Sequence, residues 1–191
     1  MDVANILKII KDTRSPLKKQ LLLVSLVSSI LREKEKSAPI VIGGCALSYY
    51  SREVYFTADI DLAYADRDAL DVALKELDFE KSGRYWINDE LSAVIEIPTH
   101  SLVGETAPVE IVEFEHGLSC QIIGIEDLLI DRLNACKHWK SQTDCEMVEL
   151  LVKRNRERMN WEYLINKASL PENDTKLELE RLRETKKSAD E

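Results

Sequence analysis

Hydrophobic and polar positions follow two different rhythms along this chain. Residues 17–33 are dense in Leu and other good helix formers and follow Ser15-Pro16, a start signal, so they predict a helix. Ala38-Pro39 stops it, and Ile40-Val41-Ile42 reads as a short buried strand. Gly43-Gly44 comes next, residues 45–51 predict a helix, and residues 56–63 a second strand. Leu70, Ala73, Leu74 and Leu77 recur at spacings of three and four, which predicts a helix over 68–77 with Asp66 or Asp68 as its cap. After Gly83 the period falls to two. Residues 85–87, 93–97, 109–114 and 119–123 predict strands, separated by turn residues at Asn88-Asp89, Pro98 and His116-Gly117. The helical period returns over 125–158, with Leu128, Leu129, Leu133, Cys136 and Trp139 on one apolar side. A cap at Thr143-Asp144 starts a further helix there, and residues 161–167 predict a last short one.

Only the first two strands enclose a helical crossover; the others read as a meander. This order predicts an α+β (α/β) fold, a mixed sheet with helices grouped on one face or end. The expected divisions are an α/β core over 1–124, a helical segment packed on it over 125–170, and a charged tail over 171–191, either a solvated helix or disordered.

The 191 residues and 45% hydrophobic content suffice for one good core. A net charge of −9 argues against coating nucleic acid through a broad basic field, while leaving room for a local patch that meets an RNA end. The one long apolar run, 21–31, is interrupted by Ser25, Ser28 and Ser29 and is too short to span a bilayer. No membrane association and a cytoplasmic location are therefore expected. Cys45, Cys120, Cys136 and Cys145 form no C-x-x-C pair, so neither a zinc site nor a disulfide framework is expected. Cys45 and Cys120 flank apolar runs and read as small core residues in a reducing setting.

The candidate chemistry lies between Ile40 and Tyr64. Side chains alternate along a strand, so Asp59 and Asp61 share one face while Ile60 and Leu62 point to the other. Like charges so placed repel unless a cation sits between them, and Mg²⁺ favours such oxygen donors. Gly43-Gly44, where strand yields to helix, permits positive φ and close approach of a phosphate to backbone N–H groups. P-loop and Rossmann glycine patterns are absent. A third carboxylate is sought on a neighbouring strand: Glu96 is preferred, because Pro98 ends its strand, and Glu110 is the rival. Lys137 and Lys140, one helical turn apart, and Asp144, four residues beyond Lys140, are expected to share a helix face, with Lys140 as a point charge for a triphosphate. His100 and His116 read as exposed turn positions, His138 as packing or helix surface, and the basic run 153–158 as a solvated helix flank, with contact to a nucleic-acid backbone as the alternative.

These stretches together resemble minimal nucleotidyltransferases of the DNA polymerase β superfamily, in particular the AbiE-type toxin nucleotidyltransferases. The likeness is carried by Val41-Ile42-Gly43-Gly44-Cys45-Ala46-Leu47, Thr57-Ala58-Asp59-Ile60-Asp61-Leu62, Val94-Ile95-Glu96-Ile97-Pro98, and the segment from Glu126 through His138-Trp139-Lys140 to Asp144. It implies a nucleotidyltransferase-like mixed sheet and transfer of a nucleoside monophosphate from an NTP, with Mg²⁺ or Mn²⁺. The implied acceptor is a tRNA end, a protein or a small molecule, and an antitoxin-type protein is an implied partner. Asp59, Asp61 and Glu96 match the metal-binding and catalytic carboxylates of the motif, and Gly43 and Gly44 its phosphate-approach glycines. Lys140 and Asp144 match the basic and acidic positions of its helical segment. The chain departs from the pattern in having Gly44 where Ser is frequent, and Tyr55 where relatives carry Arg. The alternative reading is a non-catalytic module of this fold that acts as a toxin–antitoxin or regulatory partner.

Overall fold

The structure is a computed structural model that describes residues 2–101 and 107–184. The chain falls into two compact units, Met1–Ile123 and Gly124–Glu191, each described here by itself.

The first unit holds the sheet and four α-helices among the described residues. Helix α1 (Val3–Asp12) was not foreseen, although Asp2 caps it by accepting from the Asn5 N–H, and Ile6 and Ile10 form its buried side. Helix α2 (Pro16–Glu33) begins with Ser15 as cap and Pro16 in its first turn, where proline's missing N–H costs nothing. It is buried along most of its length, Ser25 included, whose hydroxyl bonds back to the Leu21 carbonyl. Strand β1 (Ile40–Ile42) passes directly into α3 (Gly43–Tyr50), so the glycine pair lies inside the first turn rather than before it. Strand β2 (Asp59–Ala63) is shorter than the pattern suggests, because the Thr57 carbonyl accepts from the Gln20 amide instead of joining a ladder. Helix α4 (Arg67–Lys75) is capped by Asp66, and strands β3 (Glu80–Ser82), β4 (Tyr85–Asn88), β5 (Ala93–Thr99), β6 (Val109–Glu113) and β7 (Ser119–Ile123) follow.

The sheet order is β3-β4-β5-β2-β1-β7-β6. Strand β1 runs antiparallel to β2 and parallel to β7, β2 runs parallel to β5, and the remaining pairs are antiparallel, so the sheet is mixed as expected. Strand β3 escaped the sequence reading because Glu-Lys-Ser is polar and fully exposed, the composition of a protected sheet edge. One face of the sheet carries Val41, Ile60, Leu62, Ile95, Trp86 and Ile122, all essentially buried. The other carries Ile42, Asp59, Asp61, Val94, Glu96 and Tyr85, all only partly buried.

The second unit contains α5 (Ile125–His138), α6 (Gln142–Asn155), α7 (Trp161–Ala168) and α8 (Lys176–Glu184). The expected charged tail is helical over Lys176–Glu184, with Leu179 fully buried; residues 185–191 lie outside the described residues. Among the described residues no helix is long and apolar enough to cross a membrane.

Candidate functional site

Asp59 and Asp61 stand on one face of β2 because Ile60 and Leu62, at 0% exposure, take the other. The β1–β2 register sets Ile42 opposite Asp61, so the chain leaving β1 enters Gly43-Gly44 beside that carboxylate. The Gly44 N–H donates to Asp61 Oδ2 at 3.3 Å. Gly43 has φ +57, and a Cβ there would lie 2.2 Å from Asp61 Oδ2. A Cβ on Gly44 would meet the Thr57 side chain at 3.0 Å, and the Thr57 hydroxyl in turn donates to Asp59 Oδ1. The T-x-D-x-D segment thus presses on both positions, with the positive φ and the closer contact at Gly43. Helix α3 has no side-chain cap of its own, its N-cap being Ile42. Asp61 supplies the acceptor from across the ladder, an anion at the positive end of the helix.

Glu96 is the direct register partner of Asp61 on the parallel strand β5, and so faces the same way. The register then shifts, Asp61/Glu96 giving way to Ala63/Thr99, and β5 runs through Pro98 to Thr99 rather than ending at Pro98. Glu110 is not in this group. It lies on the edge strand β6 and accepts from the hydroxyls of Tyr49 and Tyr50. The Glu96 carboxylate, only 13% exposed, is paired with Arg84, whose Nε lies 3.2 Å from Oε1. Arg84 occupies the tight turn between β3 and β4, where Gly83 supplies the positive φ that a two-residue hairpin needs.

Among the described residues no cluster of three or more His, Cys, Asp or Glu side chains could hold a metal ion. What the face offers a cation is the Asp59–Asp61 pair. Mg²⁺ is commonly held by one or two carboxylates and completed by substrate phosphates and water, and two aspartates on one strand face fit that mode.

Cys45 and Cys120 are buried core thiols. Burial pushes the Cys45 thiol up, and the nearby Cys120, Asp61 and Asp59 push it further. It packs as a small core residue.

In the second unit the expected helix face breaks up. Helix α5 ends at His138, and Lys140 sits in the following turn with φ +55, outside any helix. Asp144 is in the first turn of α6, whose cap is Ser141 rather than Thr143-Asp144, and it pairs with Arg132 at 3.0 Å instead of with Lys140. Lys137 turns to Asp174 and Glu178. Cys136 and Cys145 form a disulfide, although the cysteine spacing suggested no disulfide framework. Their nine-residue separation matches no C-x-x-C spacing, and only the α5–α6 hairpin brings them together.

Two contributors at the carboxylates carry no role in the sequence reading: Thr57, as the hydrogen-bond donor to Asp59, and Arg84. Thr57 sits within the quoted motif, so a signal existed. Arg84 reaches Glu96 only through the pairing of β4 with β5, which no local pattern encodes.

No family model matches the chain, and no curated protein matches it either. Among solved structures it is similar to an antigenic nucleotidyltransferase-like protein from Paracoccidioides brasiliensis, with a TM-score of 0.53 and 15% identity over 69% of this chain and 74% of that one. It is also similar to ANT(2″)-Ia in complex with adenylyl-2″-tobramycin (TM-score 0.47, 16% identity, 70% of this chain and 88% of that one). The solution structure of the antibiotic-resistance factor ANT(2″)-Ia gives a TM-score of 0.43 at 14% identity, over 87% of this chain and 98% of that one. The mixed sheet and its helices therefore have a nucleotidyltransferase-like fold.

Proposed function

We propose that this chain is a metal-dependent nucleotidyltransferase that moves a nucleoside monophosphate from an NTP to an acceptor and releases pyrophosphate. One observation carries the reading: Asp61, sharing its face with Asp59, lies hydrogen-bonded against the first turn of α3 at Gly43-Gly44. The carboxylates that would hold a cation thus lie against the positive end of α3, where the charge of a metal-bound triphosphate would also be favoured. Asp59 and Asp61 would hold Mg²⁺ or Mn²⁺, which when bound supplies positive charge to the triphosphate and the departing pyrophosphate. Thr57 orients Asp59. Glu96, beside Asp61, takes the proton of the acceptor hydroxyl as its oxygen bonds to the α-phosphorus and the bond to the β-phosphate bridging oxygen breaks.

The finer readings belong to the same proposal: kinship with the AbiE-type toxins, an acceptor that is a tRNA end, a protein or a small molecule, and an antitoxin-type partner. The motif also implies nucleotide-binding roles for Lys140 and Asp144, and an unchanged KM in Lys140→Ala would remove that part of the proposal.

A second reading, a binding module without turnover, is favoured by the Arg84–Glu96 pair, which neutralises the proposed base. The discriminating experiment supplies each common NTP, radiolabelled at the α-phosphate, with Mg²⁺ and a panel of tRNA, protein and aminoglycoside acceptors. Label on an acceptor with wild type and none with Asp61→Asn supports the enzyme. Nucleotide binding without any transfer supports the module.

A further inference from the structure

Arg84 makes every polar contact recorded for it on the carboxylate face. Its Nε pairs with Glu96, its Nη2 donates to the Tyr85 hydroxyl at 2.5 Å, and its guanidinium carbon lies 4.9 Å from the Tyr85 ring centroid. The hydrogen bond to Tyr85, and then the charges of Glu96 and, more weakly, Asp61, raise its pKa above the ordinary guanidinium range. The side chain is nevertheless 69% exposed, whereas Glu96 is 13% exposed. So the carboxylate is fixed in the sheet, while the cation over it stands on a hairpin turn with most of its surface open to a second anion. An exposed ion pair holds its partners weakly. A guanidinium left with open donors binds phosphate in a planar, two-point manner.

We infer that Arg84 is an exchangeable counterion of the carboxylate face. In the nucleotide-free protein it neutralises Glu96; when an NTP arrives with its divalent cation, Arg84 turns to the triphosphate and releases Glu96 to the acceptor and the metal side of the site. This rests on the nucleotidyltransferase reading. Arg84 is thus a positioning residue for Glu96 and a ligand of the leaving pyrophosphate.

The test uses the full chain and measures Mn²⁺ binding by the loss of the free-ion electron spin resonance signal, first without nucleotide and then with a non-hydrolysable NTP analogue. Without nucleotide, Arg84→Ala is expected to bind Mn²⁺ roughly two- to fivefold more tightly than wild type, the scale of an exposed ion pair. That gain should vanish in the Glu96→Gln background. With the analogue, Arg84→Ala should bind about tenfold more weakly, the scale of a charge-assisted phosphate contact, and Arg84→Lys should fall between. A purely structural role for Arg84 would move both affinities the same way. Mn²⁺ binding that depends on Asp61 but is not tightened by Arg84→Ala overturns the counterion inference alone. Mn²⁺ binding that is absent, or unchanged by Asp61→Asn, overturns the nucleotidyltransferase reading and this inference with it.

Discussion

Asp61 Oδ2 lies 3.3 Å from the Gly44 nitrogen and at the spot where a side chain on Gly43 would begin, 2.2 Å from an added Cβ. One carboxylate therefore caps a helix, fills the space a side chain at Gly43 would need, and faces the same way as Asp59. Structure and proposed chemistry are coupled at this atom.

The tightness of that contact predicts the behaviour of Gly43→Ala. The new methyl meets a carboxylate held by a strand, and the backbone there has φ +57, which alanine adopts at a cost. A loss of about 2–3 kcal/mol is expected from the two effects together. Urea unfolding followed by circular dichroism measures it; a loss below about half a kcal/mol would show that the contact relaxes freely.

Asp61→Asn separates the capping role from the chemical one. The amide oxygen can still accept from the Gly44 N–H, so stability should change by less than about 1 kcal/mol. The negative charge is gone, so transfer should fall by at least about 100-fold. Asp61→Ala, which removes the cap as well, should lose both. Equal stability losses in the two variants would contradict the capping role.

The disulfide makes its own prediction. Cys136 and Cys145 are nine residues apart and join the end of α5 to the first turn of α6. Loop-closure entropy for so short a ring gives about 2–3 kcal/mol. Cys136→Ser with Cys145→Ser, or reductant, should speed amide hydrogen exchange in α5 and α6 by a corresponding amount. Unchanged exchange under reductant would mean that hairpin packing alone holds the two helices.

Asp71 gives a pH signature to the sheet's core. Its carboxylate accepts from the Lys75 ammonium at 2.7 Å and from the indole N–H of buried Trp86 at 2.8 Å. The Lys75 contact first and the Trp86 bond second hold its pKa below the ordinary 3.8. The unfolded chain then takes up the proton before the folded one, so this stabilisation is complete above about pH 4 and is lost as pH falls through the lowered folded value. Asp71→Asn should cost about 1 kcal/mol at neutral pH. Its stability should converge with that of wild type as the pH falls through the lowered folded value. A constant gap across that range would contradict the assignment.

Several of these features were readable from sequence because they are local. Alternation assigned Asp59 and Asp61 to one face, and Ser15-Pro16 set the start of α2 within a residue. The features that escaped depend on contacts between distant segments. The sequence prefers Glu96 over Glu110 on a local turn signal, but what sets Glu96 beside Asp61 is that β5 rather than β6 pairs with β2. Arg84 reaches the face through a hairpin whose first strand has no apolar alternation to announce it. Lys140 and Asp144 have the spacing of a helical pair, but a chain reversal falls between them and gives Asp144 to Arg132. The same reversal joins two cysteines whose spacing in the sequence signals nothing. Alternation, caps and glycine placement are written residue by residue; strand order and hairpin closure emerge only when the core forms.

Thermal unfolding with an NTP and Mg²⁺ or Mn²⁺, compared between wild type, Asp59→Ala and Asp61→Asn, decides whether the aspartates and the glycine turn form a nucleotide site. Wild type should be stabilised by nucleotide and metal together by about 2–3 kcal/mol at ligand near 100 times Kd, equivalent to a rise of several degrees, and more than by either ligand alone. Both variants should lose that joint stabilisation. Shifts of equal size in all three proteins, or none in wild type at saturating ligand, would contradict the site described here.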